Sequence, residues 1–99
     1  MNDRTKALAI SKSVKDTVFK RDGGKCILCG KPGIPEAHYI PRSQGGLGIE
    51  ENIVTLCRPC HNRLDQTAER ERLLERVKQH LELWYPFFEA RDRYYRRWQ

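Results

Sequence analysis

Apolar positions along the chain mark out a series of short elements. Val14, Val18 and Phe19 fall at helical spacing behind Ser13, a residue suited to cap a helix N-terminus, so a helix is expected over residues 13–21. Asp22-Gly23-Gly24 ends it. Residues 34–40 and 52–56 read as two short strands, the first stopped by Pro41. Ser43-Gln44-Gly45-Gly46, between them, reads as a flexible loop. Helical spacing returns with Leu64, Ala68, Leu74, Val77, Leu81 and Trp84, an apolar stripe on one bent helix or two. Pro59 suits the first turn, Asp65-Gln66-Thr67 offers a break with a new cap, and Pro86 is the stop. Residues 1–12 are expected to be a flexible N-terminus, and residues 87–98 a last helical segment rich in aromatics and arginine. Trp84, Tyr85, Phe87, Phe88, Tyr94, Tyr95 and Trp98 are read as core packing rather than as base-stacking groups, and His80 as a surface residue.

Composition limits what these elements can build. With 99 residues, 38% of them hydrophobic and 32% charged, the chain makes one core-poor domain of a kind that benefits from a metal staple. Its expected extent is residues 13–99, with a motif core over 26–65 and a C-terminal extension over 66–99. No apolar run approaches the roughly 20 residues that span a bilayer. The first residues lack the apolar stretch of a signal peptide, and no membrane association is expected. The expected compartment is therefore the cytoplasm, where paired cysteines more often bind metal than form disulfides.

Net charge is +6 and the pI is about 9.4. A positive excess favours polyanions such as DNA or RNA, although ordinary solubility charge has the same sign. Both ends are basic: Arg4, Lys6, Lys12, Lys15, Lys20 and Arg21 lie near one, and Arg91, Arg93, Arg96 and Arg97 near the other.

The cysteines change the picture most. Cys26-x2-Cys29 is followed, after 27 intervening residues, by Cys57-x2-Cys60. Each pair presents two sulfurs on one tight turn, and two such turns make a tetrahedral thiolate site for Zn2+. Four thiolates leave no open position, so this zinc is expected to be structural. Two redox pairs or disulfides are the alternative.

A second group lies between and just after the cysteine pairs. Glu36-Ala37-His38-Tyr39-Ile40-Pro41-Arg42-Ser43-Gln44-Gly45-Gly46 is followed by Asn52 and then by His61. Histidine, two residues, proline and a polar run ending in two glycines, with an asparagine nine residues ahead of a last histidine, resembles the HNH endonuclease family in its cysteine-braced form. The resemblance covers about residues 14–65.

It implies an α+β, mostly helical fold with a ββα-metal (His-Me finger) core holding one divalent ion such as Mg2+ or Mn2+, and DNA as the partner. It implies that His38 is the general base that activates water and that His61 ligates the ion. Asp65, one helical turn further on, is a candidate second ligand or else a helix cap. Asn52 is expected to orient the loop or the base. Arg42 is a candidate phosphate contact. Gly45 and Gly46 suit close backbone approach to DNA, as well as any flexible turn.

Family members commonly carry Asp or His directly before the catalytic histidine. Ala37 stands there in this chain and cannot ligate, which makes Glu36, two residues from His38 on the same strand face, the nearest carboxylate. Two other readings stay open. One is a catalytically inactive zinc-braced module of treble-clef type that binds nucleic acid. The other is an adaptor that uses its C-terminal segment on a larger phage-packaging or host DNA-processing machine.

Overall fold

Two helices open the chain, α1 over Asp3–Leu8 and α2 over Lys12–Arg21, in a computed structural model that describes residues 3–66 and 68–95. α1 occupies part of the stretch expected to be flexible, and the buried Leu8 side chain anchors it. α2 begins earlier than expected. The residue that caps it is Ser11, whose backbone is extended and whose Oγ accepts from the Val14 amide at 3.2 Å. Val18 is fully buried, but Phe19, one residue round the helix, is 47% exposed and lies off the inner face.

β1 (Ile34–His38) and β2 (Ile53–Leu56) form an antiparallel pair with Ala37 opposite Val54 and His38 opposite Ile53. β1 is shorter than the sequence suggests. Its last tie is the Tyr39 amide on the Asn52 carbonyl at 2.8 Å, after which the chain turns into a 3-10 turn at Arg42–Gln44. Asn52 closes a second 3-10 turn, Glu50–Asn52, and lies just ahead of β2.

The stripe that follows is carried by two helices, α3 (Arg58–Gln66) and α4 (Arg70–Trp84). Arg70 Nη1 reaches back to the Leu64 carbonyl at 3.1 Å and satisfies one of the acceptors that the end of α3 leaves open. Leu64 of α3 faces the core together with Leu73, Val77 and Leu81 of α4, whereas Ala68 is exposed and Trp84 is 50% exposed. These leucines and Val77 pack with Ala37, Val54, Leu56, Cys26, Cys57 and Cys60 in one apolar cluster.

The segment after α4 is a 3-10 turn at Ala90–Arg93 rather than an α-helix. Tyr94 then bridges to Gly46 in antiparallel fashion. Phe87 is 96% exposed, against the expectation of core packing. Tyr85 packs against the core cluster, and Phe88 and Tyr39 flank the buried Arg93 guanidinium with ring centroids at 5.1 and 5.8 Å. Thr67, Arg96, Arg97 and Trp98 lie outside the described residues.

A buried charged cluster joins the helices to the sheet. The Asp22 carboxylate, just past α2, accepts from Arg21 Nε at 2.8 Å, Arg21 Nη2 at 3.0 Å, the Thr55 amide at 2.9 Å and His80 Nε2 at 2.9 Å. Arg21 also donates to the carbonyls of Glu50 and Ile53, both at 2.8 Å. Burial alone would raise the Asp22 pKa; the bonds from His80, Arg21 and the Thr55 amide overcome it and hold the carboxyl well below the usual range. His80 is therefore a half-buried link from α4 to α2 and β2, not a free surface residue.

The fold is α+β. A β1–β2–α3 unit forms its centre, α1 and α2 precede it, α4 follows it, and the four cysteines gather beside it, as in the ββα-metal fold. No helix is long and apolar enough to cross a membrane among the described residues.

Candidate functional site

Two short-range features shape the first cysteine turn. The Gly30 amide bonds the Cys26 carbonyl at 2.9 Å, and the Cys26 amide bonds the Lys31 carbonyl at 2.7 Å. The Ile27 amide on the Thr55 carbonyl, at 3.0 Å, ties this turn to β2. β2 runs directly into Cys57, and the His61 amide on the Cys57 carbonyl at 2.9 Å starts α3. The four sulfurs thereby converge, all within 4.8 Å of one another, with Cys29 and Cys57 at 3.5 Å and all four thiols free.

The donor set fits a tetrahedral ion. Bonds of about 2.3 Å from zinc to sulfur place sulfurs about 3.8 Å apart. Burial pushes the Cys26 thiol up, but the amides of Cys57, Leu28 and Cys29 bring it down to about 7. Burial and the three neighbouring thiols push Cys60 up to about 12. A thiol whose ionisation its neighbours oppose, as at Cys60, sits in a cluster suited to a shared cation, which favours thiolates. Among the described residues no other group of three or more Cys, His, Asp or Glu side chains converges in this way, and His61 stands outside the cluster.

The second constellation sits across β1 and α3. Alternation along β1 sends Ala37 into the core against β2 and leaves Glu36 and His38 on the other face. His38 Nε2 lies 3.0 Å from the Leu8 carbonyl. A carbonyl only accepts, so Nε2 carries the proton and Nδ1 keeps the lone pair. Burial lowers the His38 pKa; the Leu8 carbonyl opposes this, and the charges of Arg42 and His61 add to it. On α3, His61 Nε2 stands 3.5 Å from Asp65 Oδ2, one turn on, and both side chains are partly exposed. Glu36, His38, Arg42, His61, Asp65 and Arg70 share one cleft of about 330 Å³.

The structure therefore brings together most of the residues singled out from sequence. An imidazole and a carboxylate are suitable donors for a divalent ion, and His61 with Asp65 offers two of them. Glu36 does not converge with that pair; its Oε1 meets Lys15 Nζ of α2 at 3.2 Å. Ala37, buried in the core, leaves the position ahead of His38 without a ligand.

Asn52 is fully buried and turned into the loop. Its Oδ1 accepts from the Ile40 amide at 2.9 Å, and its Nδ2 donates to the carbonyls of Ile40 at 3.2 Å and Leu47 at 2.8 Å. It thus staples the loop between the strands. That loop, expected to be flexible, is clamped from both sides. The Leu47 amide bonds the Arg93 carbonyl at 2.8 Å, the Tyr95 amide bonds the Gly45 carbonyl at 2.6 Å, and the Gly48 amide bonds the Ala7 carbonyl at 3.0 Å.

Gly46 is required by this packing, since a Cβ there would lie 1.7 Å from the Ile40 carbonyl oxygen. Both glycines are buried; internal close approach accounts for Gly46, and the left-handed φ of +85° that ends the Arg42–Gln44 turn accounts for Gly45. Sequence reasoning missed the Leu8 carbonyl, Lys15 and Arg70 as parts of this site. The first carries no side-chain signal at all, and the other two are lone basic residues among many.

A family model described as HNH endonuclease matches residues 26–76, which contain both cysteine pairs, both strands, α3 and the first part of α4. The chain is also 32% identical over 72 residues to the type IV methyl-directed restriction enzyme EcoKMcrA of Escherichia coli (strain K12). That alignment covers 63% of this chain and 26% of the other, so the chain spans about a quarter of this relative's length. The family match takes in just over half of the chain and coincides with the ββα unit and its cysteine cluster: the chain belongs to the HNH endonuclease family.

Proposed function

We propose that the protein is a metal-dependent endonuclease that hydrolyses phosphodiester bonds in DNA, with His38 as general base. The observation that carries this reading is the environment of His38, an imidazole with one nitrogen against the Leu8 carbonyl and a pKa that burial lowers, in a cleft shared with His61 and Asp65. A neutral imidazole takes a proton from water near pH 7. The hydroxide so formed attacks phosphorus, and cleavage leaves a 5′-phosphate and a 3′-hydroxyl. His61 and Asp65 would hold a divalent ion such as Mg2+ or Mn2+, which would supply positive charge to offset that of the phosphate. Arg42, exposed on the rim, binds a phosphate oxygen, and Asn52 keeps the Arg42 loop in place. Zn2+ at Cys26, Cys29, Cys57 and Cys60 is structural. One site per chain makes a single-strand nick the elementary event, and binding weakens steeply with salt.

One observation favours the inactive binding module: with Ala37 in the core and Glu36 paired to Lys15, His61 and Asp65 alone among the described residues of the cleft offer themselves to the catalytic ion. Supercoiled plasmid incubated with Mg2+ or Mn2+, with and without chelator, separates the two. Metal-dependent nicking is expected, and His38→Ala lowers it by about 100-fold or more while the fold is kept. Equal cutting by both proteins would show that His38 is not the base. DNA retained on a gel by both proteins, with cutting by neither, would establish the binding module.

A further inference from the structure

We infer that residues 7–9, ahead of the family-matched region, are the positioning element that fixes the tautomer of His38. The inference rests on the reading of His38 as the base and adds the part of the chain that makes it one.

Leu8 is the last residue of α1, and the last carbonyls of an α-helix have no partners within it. The Leu8 carbonyl takes the His38 imidazole instead, with Nε2 donating at 3.0 Å. No other hydrogen bond of this ring is seen among the described residues. The β hairpin itself holds the His38 backbone and leaves the ring to the segment that crosses in front of it.

Three consecutive residues fix that segment. The Ala7 carbonyl accepts from the Gly48 amide at 3.0 Å. The Leu8 side chain is buried. The Ala9 carbonyl packs so closely on Gly48 that a Cβ there would lie 2.1 Å from its oxygen. Gly48 thus serves as a seat. Its missing side chain lets the segment approach, and its amide holds the segment down. With the Leu8 carbonyl in place, only the tautomer with its proton on Nε2 is satisfied, and the Nδ1 lone pair is kept for the proton of water. Without it, either nitrogen can carry the proton and the ring can turn.

The test reads the ring directly. In the ¹⁵N-labelled 99-residue chain with His38 neutral, long-range ¹H–¹⁵N correlation is expected to show Nε2 protonated, with a slowly exchanging proton, and Nδ1 bare. Gly48→Ala, which pushes residues 7–9 away, is expected to lose the slow proton and mix the tautomers. Nicking at saturating plasmid should fall by about 100-fold, the loss that small misplacement of a reacting group produces, with DNA affinity unchanged. Leu8→Ala loosens the same segment from its buried side and leaves the loop intact. It is expected to move the ring signals in the same direction, and it is read in place of Gly48→Ala should the latter lose its fold.

A wild-type ring protonated on Nδ1 would overturn the inference. So would a folded variant that keeps the slow Nε2 proton and the wild-type rate. Should the ring respond as expected while the wild type cuts no DNA, the segment's role stands and the nuclease reading falls.

Discussion

His38 has one face in the protein and one in the cleft, and its protonation follows from that. Burial disfavours the imidazolium, and Arg42 and His61 oppose a further positive charge nearby, so its pKa lies below the ordinary value of about 6.5. A base with a lowered pKa stays neutral to more acid pH. The acid limb of kcat/KM for nicking, which reports the free enzyme, is therefore expected to have its midpoint below about 6.5. A midpoint at or above that value would contradict the assignment. At this scale the sequence was legible where chemistry is carried by side chains in fixed order: His38, Asn52 and His61 stand out, and Ala37 stands out as a departure. It was silent on the Leu8 carbonyl, because a backbone acceptor looks the same at every position.

At the scale of elements, the least legible feature was the cluster that locks α2 and α4 to β2. Asp22 reads as part of a turn and His80 as a surface residue, because the two are 58 positions apart and no local pattern joins them. Their contact is tertiary. Ser11 rather than Ser13 is the cap, although both precede the same apolar residues. Asp22→Ala leaves the Arg21 guanidinium buried without its carboxylate, and such a loss costs about 3–5 kcal/mol. Denaturant unfolding at neutral pH is expected to show it, and a change below about 1 kcal/mol, the range of an exposed pair, would deny the cluster its role. The pH dependence has a definite sign. The folded pKa is depressed, so this contribution is present above the unfolded value near 3.9 and is lost as pH falls below it. The stripe on α4 was legible as helical, and Val77 and Leu81 fall in the core and Leu74 against it as expected; what was missed is that Leu73 is the more deeply buried of the two leucines and that Trp84 is half exposed.

For the whole molecule, the cysteine cluster organises the rest. A metal held by the four sulfurs would clamp the turn ahead of β1, which carries His38, to the turn that launches α3, which carries His61. The two pairs are 27 residues apart, and the free energy of ligation is folding free energy. Cys57→Ser is expected to unfold or aggregate the protein, and a strong chelator to do the same to the wild type. A folded, metal-free Cys57→Ser protein, by circular dichroism and metal analysis, would contradict this. Charge was legible only in bulk. Arg21 and Arg93, which count toward the basic ends, are buried and bonded to backbone carbonyls, so they belong to the scaffold rather than to a surface that meets phosphate.

The double clamp on the loop between the strands bears on the order in which the protein is made. Residues 26–66 hold both cysteine pairs, both strands and α3, and they leave the ribosome well before residues 93–95 do. Until residues 93–95 emerge, the amide of Leu47 and the carbonyl of Gly45 lack their partners, and the loop that carries Arg42 is held by Asn52 and from the Ala7 side alone. A nascent chain can thus gather its thiols and begin to fold while its cleft is still unfinished. Assembly of the site waits for synthesis of the segment that closes it.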